Sequence, residues 1–525
     1  MKITAYKQLK YLTCIAVLIL SSCQQKTEVI QHSVAVNRPN ILFIPIDDIR
    51  PELGCYGNSD VISPNIDKLA SNGVVFNRAY CQQAVCTASR TSLLTGLRPD
   101  STQVWDLKTH FRDQMPNLVS LPQFFKNNGY YSVGLGKTFH NTLQDSLAWN
   151  EYLHIDGFPF DPDAVYVNRD NIIAQKEIEL KRLKAGHAKV DKYGFIYSKT
   201  RSSEMGLVDN DDAYYDGAQT TMAIKKLREL KDKDEPFFLS VGYYKPHLPF
   251  NAPKKYWDLY NRADIKLAEN QYHPKDSPSY TVHGDAELRG YVDAKSNLPY
   301  PNENNWDEDK QRELKHAYYA CISYIDAQIG RIMDELERLN LKDNTIVVLW
   351  GDHGWKLGEH NGWGKQTNYE IDTRVPLIIS GAKVVAKGET SNALTEFVDV
   401  YPTLCDVTGF EIPEYLQGTS LKPLLENPKA TVKDAAYSQF LLGRFGPLKE
   451  RESEKMGYTV RTDRYRYVEW YDWEANKNAV GEFLGKELFD HEKDAQENTN
   501  IANDPANKEL IKTLSSQLKA GFSTL

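Results

Sequence analysis

Thr345-Ile346-Val347-Val348-Leu349-Trp350 is an unbroken run of apolar and β-branched residues that passes directly into Gly351-Asp352-His353-Gly354. A run of this length without polar alternation fits a strand buried on both faces, the pattern of a parallel sheet covered by helices. Two further runs have the same form. Asn40-Ile41-Leu42-Phe43-Ile44-Pro45-Ile46 ends in Asp47-Asp48, and Pro236-Phe237-Phe238-Leu239-Ser240-Val241-Gly242 leads to Lys245-Pro246-His247. Helical patterns separate such runs, so the chain predicts an α/β sheet with parallel strands. Ligands of open α/β sheets bind beyond the carboxyl ends of the strands. The polar groups that follow the three runs are therefore expected to converge.

Cys86-Thr87-Ala88-Ser89-Arg90, followed by Thr95-Gly96, adds a different element. The small residues ahead of an apolar stretch predict a helix that starts at Cys86, where unpaired N–H groups and the helix dipole favour an anion. Arg90, one turn on, is expected to aim its fork at that anion. The adjacent carboxylates Asp47 and Asp48 repel one another unless neutralised, and a hard divalent cation with oxygen ligands would do so. Asp352-His353, after another buried strand, adds support for a metal at this end of the sheet.

At 525 residues the chain is too long for one small core, and two unequal domains are expected, 38–410 and 411–525. The formal charge of −8 excludes the broadly basic surface of a nucleic-acid-binding protein, so an anionic substrate must be captured by a local site. Lys2, Lys7 and Lys10 precede the apolar run Tyr11 to Leu20, and Leu20-Ser21-Ser22-Cys23 matches a lipobox. Residues 1–22 are read as a lipoprotein signal peptide, Cys23 as the lipidated first mature residue, and 23–37 as a polar tether. This predicts an exported bacterial lipoprotein with a membrane anchor, and Gln24 and Gln25 favour the outer membrane, on its periplasmic or surface face. Apart from Cys14, Cys23 and Cys86, four cysteines remain: Cys55, Cys81, Cys321 and Cys405. An exported protein is permitted a disulfide among them, and a core of this size does not require one.

The Cys86 motif resembles the C-x-P-S-R-x4-T-G signature of type I sulfatases, with Ala88 where proline is usual. Gly136-Lys137-Thr138-Phe139-His140, Lys245-Pro246-His247-Leu248-Pro249-Phe250 and Gly362-Trp363-Gly364-Lys365 resemble further family segments and occur in the family's order. Ala84-Val85-Cys86, Val241-Gly242-Tyr243-Tyr244-Lys245-Pro246-His247 and Asp352-His353-Gly354-Trp355-Lys356-Leu357-Gly358-Glu359-His360 are most similar to the iduronate-2-sulfatase-like subgroup. The resemblance runs from about Pro39 to the end of the chain. It implies an alkaline-phosphatase-like α/β fold: a large mixed sheet flanked by helices, plus a smaller C-terminal subdomain with an antiparallel sheet. Tyr458 to Val468, which alternates apolar and polar residues, Glu487-Leu488-Phe489-Asp490 and a capped helix around 503–518 would build that subdomain.

What the resemblance implies chemically is a sulfuric ester hydrolase. Cys86 would be oxidised to formylglycine by a maturase, and one calcium ion would be held by Asp47, Asp48, Cys86, Asp352 and His353. Arg90, Lys137 and Lys365 would neutralise charge on the sulfuryl oxygens. His247, with Lys365, would protonate the departing alcohol, and His140 would be the base that regenerates the aldehyde. The substrate implied is a sulfated polysaccharide or oligosaccharide, such as ulvan, carrageenan or a glycosaminoglycan, with Lys108, His110, Arg112 and Trp355 as candidate sugar contacts. A phosphate or phosphonate monoester hydrolase of the same fold, and a catalytically dead glycan-binding lipoprotein, are the alternatives.

Overall fold

The computed structural model describes residues 38–155, 165–188, 199–281, 286–295, 306–443, 454–522 and 525. The expected signal peptide, tether, Cys14 and Cys23 lie outside the described residues. The strands in chain order are β1 (Asn40–Ile46), β2 (Gly73–Tyr80), β3 (Tyr131–Gly136), β4 (Glu151–Leu153), β5 (Ser203–Gly206), β6 (Phe237–Gly242), β7 (Phe250–Pro253) and β8 (Thr345–Gly351). They continue with β9 (Arg374–Val375), β10 (Leu377–Gly381), β11 (Glu389–Glu396), β12 (Ala436–Leu442), β13 (Lys455–Arg461), β14 (Tyr465–Glu474) and β15 (Ala479–Asp490).

The main sheet has the order β11-β2-β10-β8-β1-β6-β3-β4, with β9 paired to β2 off this path. Every residue of β1, β6 and β8 is buried, which is why each reads as a continuous apolar run. Along β1 the side chains alternate between two cores. Leu42, Ile44 and Ile46 face the layer containing the Tyr215–Lys231 and Glu308–Arg338 helices, while Ile41 and Phe43 face the layer containing the Cys86–Thr95 and Val400–Val407 helices. The sheet is mixed: β1 is parallel to β6 and β8, and β10 runs antiparallel to β8 and β2. This is the mixed sheet that the resemblance implies, and β10 departs from the parallel direction suggested by the runs alone because an apolar run buried on both faces does not encode its direction.

Register positions the site. β1 pairs with β8 without slippage from Asn40 opposite Thr345 to Ile46 opposite Gly351. Asp47-Asp48 and Asp352-His353 consequently leave the sheet side by side. On the other flank of β1, Ile46 bridges Tyr243, and β3 ends with Gly136 opposite Gly242. The segments after four neighbouring strands thus emerge as one row of polar groups.

The second sheet is antiparallel, in the order β12-β13-β14-β15. The Lys508–Gly521 helix packs Leu514 and Leu518 into the core beside it. The helix expected around 503–518 begins at Lys508, since Asp504 caps a preceding 3-10 turn by accepting the Ala506 N–H. Pro39–Leu525 forms one compact unit, and the expected boundary at 410 falls in the turn after the Val400–Val407 helix. Cys55, Cys81, Cys86, Cys321 and Cys405 are all free thiols.

The nine-stranded and four-stranded sheets are joined at Glu396, the last residue of β11. Its buried carboxylate takes Arg98 through two nitrogens, at 2.6 and 3.0 Å, the Lys433 ammonium at 2.8 Å and the Tyr437 N–H at 2.9 Å. Burial works against this charge, but Arg98 and then Lys433 hold the carboxyl down at about 2. The folded value lies below the unfolded one of roughly 4.3, so the stabilisation is complete above that value and is lost as pH falls through it towards about 2. Glu396→Gln is expected to cost about 3 kcal/mol in urea unfolding at pH 7, because Arg98 loses its buried partner and Lys433, which keeps Asp399 at 2.6 Å, loses one of two. The same comparison near pH 3 should show a smaller gap.

Candidate active site

The Cys86–Thr95 helix begins at Cys86, as its sequence predicts, and all ten of its residues are buried. Ala88 occupies the third helical position, where an N–H has no intrahelical partner, so alanine and proline are interchangeable there as far as the helix is concerned. Ser89 fixes the helix to the end of β8 by donating its hydroxyl to the Asp352 carbonyl. Glycine is required at Gly136, whose φ is +62° and where a Cβ would lie 2.2 Å from the Gly242 carbonyl oxygen. That close approach lets the Lys137 N–H bond to the same carbonyl at 2.9 Å and turns Lys137 towards the end of β1.

Ligand atoms of Asp47, Asp48, Cys86 and His353 all lie within 4.8 Å of one another, and all four residues are buried. The His353 Nδ1 faces the Gly354 carbonyl at 3.1 Å, which leaves Nε2 to face the cluster, 3.2 Å from Cys86 Sγ and 3.5 Å from Asp48 Oδ1. Asp48 Oδ2 is buried without a hydrogen-bond partner among the described residues. An orphaned carboxylate oxygen beside a second carboxylate and an imidazole nitrogen fits a divalent cation. Asp352, expected among the cation's ligands, falls outside this group, because both of its oxygens are taken by protein donors, and it orients the group instead. Its Oδ1 accepts the N–H groups of Asp48 and His353, each at 3.0 Å, and its Oδ2 takes Arg90 Nε at 2.8 Å.

Five cationic or basic groups surround the cluster: Arg90, Lys137, Lys365, His140 and His247. The Lys137 ammonium bonds Asp47 Oδ2, and Lys365 Nζ lies 2.7 Å from Asp48 Oδ1 and 3.3 Å from Cys86 Sγ. Burial opposes the Asp47 charge, yet Lys137, His247 and Arg90 hold its carboxyl well below the usual range. Burial also raises the Cys86 thiol well above its ordinary value, with Asp47 adding to the effect, so an unmodified Cys86 is a neutral thiol. His140 is buried too, and burial followed by the Lys137 charge pushes its imidazole well below the ordinary value, leaving it a neutral base. His247 sits at the more open side, with Nε2 3.9 Å from Asp48 Oδ2.

Several residues take positions other than those the sequence suggested. Arg90 gives its donors to Asp352, to Asp47 at 3.2 Å and to the Lys137 and Thr138 carbonyls, so it clamps the carboxylates and does not aim at an anion. Trp355 is fully buried, edge-on to Phe250, and its ring lies 5.3 Å beneath the Lys365 ammonium. It is a platform for that lysine and offers no face to a sugar. His110 caps a short helix by accepting the Arg112 N–H, and it stacks on Phe111. The Arg112 guanidinium grips buried Asp145 through two bonds of 2.7 Å and also reaches Gln123 and the Pro116 carbonyl. Only Lys108 of that trio is exposed. Arg112→Ala should therefore cost about 3 kcal/mol of stability by stranding Asp145, with kcat/KM unchanged in protein that remains folded.

Glu287 is a site residue that no sequence signal marked. Its Oε1 lies 3.0 Å from His247 Nε2 and its Oε2 lies 3.7 Å from Lys365 Nζ.

Comparison with known proteins adds an independent finding. The sulfatase family profile matches residues 39–410, and that of the N-sulphoglucosamine sulphohydrolase C-terminal family matches residues 358–523. Iduronate 2-sulfatase of Mus musculus is 31% identical over 560 residues, spanning 95% of this chain and 97% of that protein. A solved structure in complex with its substrate D-glucosamine-2-N,6-O-disulfate superposes with a TM-score of 0.69 at 22% identity, over 92% of this chain and 97% of the other. The phosphonate monoester hydrolase of Silicibacter pomeroyi superposes with a TM-score of 0.71 at 22% identity, over 93% and 96%. At that identity the two structures establish likeness of fold.

Proposed function

This chain belongs to the sulfatase family and is a sulfuric ester hydrolase, and we propose that it removes sulfate from a sulfated, uronate-containing glycan through a formylglycine made from Cys86. The observation that carries the reading is the meeting of the Cys86 helix start with Asp47, Asp48 and His353 inside one buried cluster bordered by Lys137 and Lys365. Similarity to an iduronate 2-sulfatase supports the uronate.

Asp47, Asp48 and His353, with the side chain at position 86, would hold the cation, which we take to be calcium. When bound, it supplies Lewis-acid charge for a sulfate oxygen. The aldehyde hydrate at position 86 supplies one hydroxyl to attack sulfur and another to expel sulfate. Lys137 and Lys365 offset the negative charge that develops on the sulfuryl oxygens. His247 and Lys365 give a proton to the alcohol oxygen as its bond to sulfur breaks. His140, buried and neutral, takes the proton that must leave the second hydroxyl. Arg90 and Asp352 keep the carboxylates in place.

A panel of defined sulfated oligosaccharides from ulvan, carrageenan and glycosaminoglycans, read by sulfate release, tests the substrate. Turnover restricted to sulfated residues lacking any neighbouring uronate would refute that part of the proposal. The same preparation should favour sulfate over phosphate monoesters. A cluster with one carboxylate pair and one histidine supports one cation better than the two-zinc arrangement of phosphatases. We also propose a lipid anchor at Cys23 in the outer membrane. Palmitate labelling that persists in Cys23→Ala would rule it out.

A further inference from the structure

Glu287 lies outside the metal cluster yet faces both candidate proton donors. Together with Asp48 it completes a quartet of alternating groups: Asp48, Lys365, Glu287 and His247. Lys365 Nζ is 2.7 Å from Asp48 and 3.7 Å from Glu287, while His247 Nε2 is 3.0 Å from Glu287 and 3.9 Å from Asp48. The other ring nitrogen, Nδ1, is tied to the Leu248 carbonyl at 2.7 Å, and the His247 N–H is tied to the Tyr244 carbonyl at 2.8 Å. The imidazole plane is therefore fixed at one end by its own backbone and at the other by Glu287.

The turn that carries Glu287 is itself well anchored. Leu288 and Tyr291 are buried in the core, the Val292 N–H bonds the Thr200 carbonyl at 3.0 Å, and Asp293 accepts the Ser202 N–H at 2.8 Å. A carboxylate held this way, with its side chain still 31% exposed, stands at the open side of the site where a leaving group would depart. Asp48, the other carboxylate of the quartet, belongs to the cation cluster. Glu287 is the member left to orient the two donors.

We propose that Glu287 is a positioning residue for the leaving-group side of the reaction, holding the His247 imidazole and the Lys365 ammonium towards the oxygen that separates from sulfur. The inference rests on the sulfuric ester reading and deepens it. A residue that positions the proton donors matters in proportion to how basic the leaving group is. A residue that merely supports the site would affect every substrate alike.

The test is steady-state kinetics on phenyl sulfate, whose leaving oxygen needs a proton, and 4-nitrophenyl sulfate, whose phenolate departs without one. Glu287→Gln should lower kcat on phenyl sulfate by about tenfold or more and on 4-nitrophenyl sulfate by no more than about twofold, with KM little changed for either. Glu287→Asp, which retains the carboxylate, should recover part of the phenyl sulfate rate. Equal losses on both esters, or no loss on either, would overturn the proposal while wild-type turnover kept the hydrolase reading intact. Wild-type protein that released sulfate from neither aryl ester nor any oligosaccharide of the panel would overturn both.

Discussion

Cys86→Ala is expected to lower kcat by at least about 10^4-fold, as loss of a covalent nucleophile does, with thermal unfolding close to that of the wild type. The fold should tolerate the change because Cys86 is small, and what alanine deletes are the sulfur's contacts with His353 at 3.2 Å and Lys365 at 3.3 Å. The effect should depend on maturation as well as on the residue. Burial and the Asp47 charge keep an unconverted thiol protonated, and a protonated thiol is a poor nucleophile. Protein made without a maturase should therefore be nearly as inactive as the variant. Trypsin releases the segment Ala79–Arg90, which contains Cys81 as well as Cys86 and so carries its own control. After alkylation in active protein, Cys81 should bear the label, and position 86 should be unlabelled, with its mass changed by the loss of hydrogen sulfide and the gain of one oxygen atom. Full activity in a peptide labelled at both positions would refute the formylglycine mechanism.

The parts of this molecule legible in the sequence are those where burial dictates composition. β1, β6 and β8 are covered on both faces and leave no freedom for alternation, so their runs and the polar residues that end them stand out. The register that sets Ile46 opposite Gly351 is not encoded in either run alone, and neither is the reversed direction of β10. Arg90 shows the same limit at the level of a side chain. Position within its helix suggests an anion as partner, while the partners that win, Asp47 and Asp352, come from 43 residues before it and 262 after. Trp355 follows a polar turn, where a tryptophan suits a sugar platform or a core equally well. Only the fold reveals that Lys365 lies over its ring. Glu287 is an acid in a segment without periodicity or motif, and nothing short of the folded arrangement connects it to His247.

Asp47→Asn should produce the second large effect, a loss of about 10^3-fold in kcat/KM together with a loss of calcium-dependent stability. On the proposed mechanism the Asp47 carboxylate has two duties: a share in holding the cation, and acceptance of Arg90 Nη2 and the Lys137 ammonium. An amide of the same shape removes the charge and turns a donor towards groups that are themselves donors. Two buried cations then lose part of their compensation, which costs about 3 kcal/mol even without metal. The cation site loses one of its two adjacent carboxylates as well, so binding energy that stabilises only the folded state is lost too. Thermal unfolding in calcium and in EDTA separates the two duties. Wild-type protein should melt higher in calcium than in EDTA, and in the variant the two curves should nearly coincide at a lower temperature. If the variant kept the full calcium-dependent shift, Asp47 would be only the partner of Arg90 and Lys137, and the cation would have to be held by Asp48 and His353 without it.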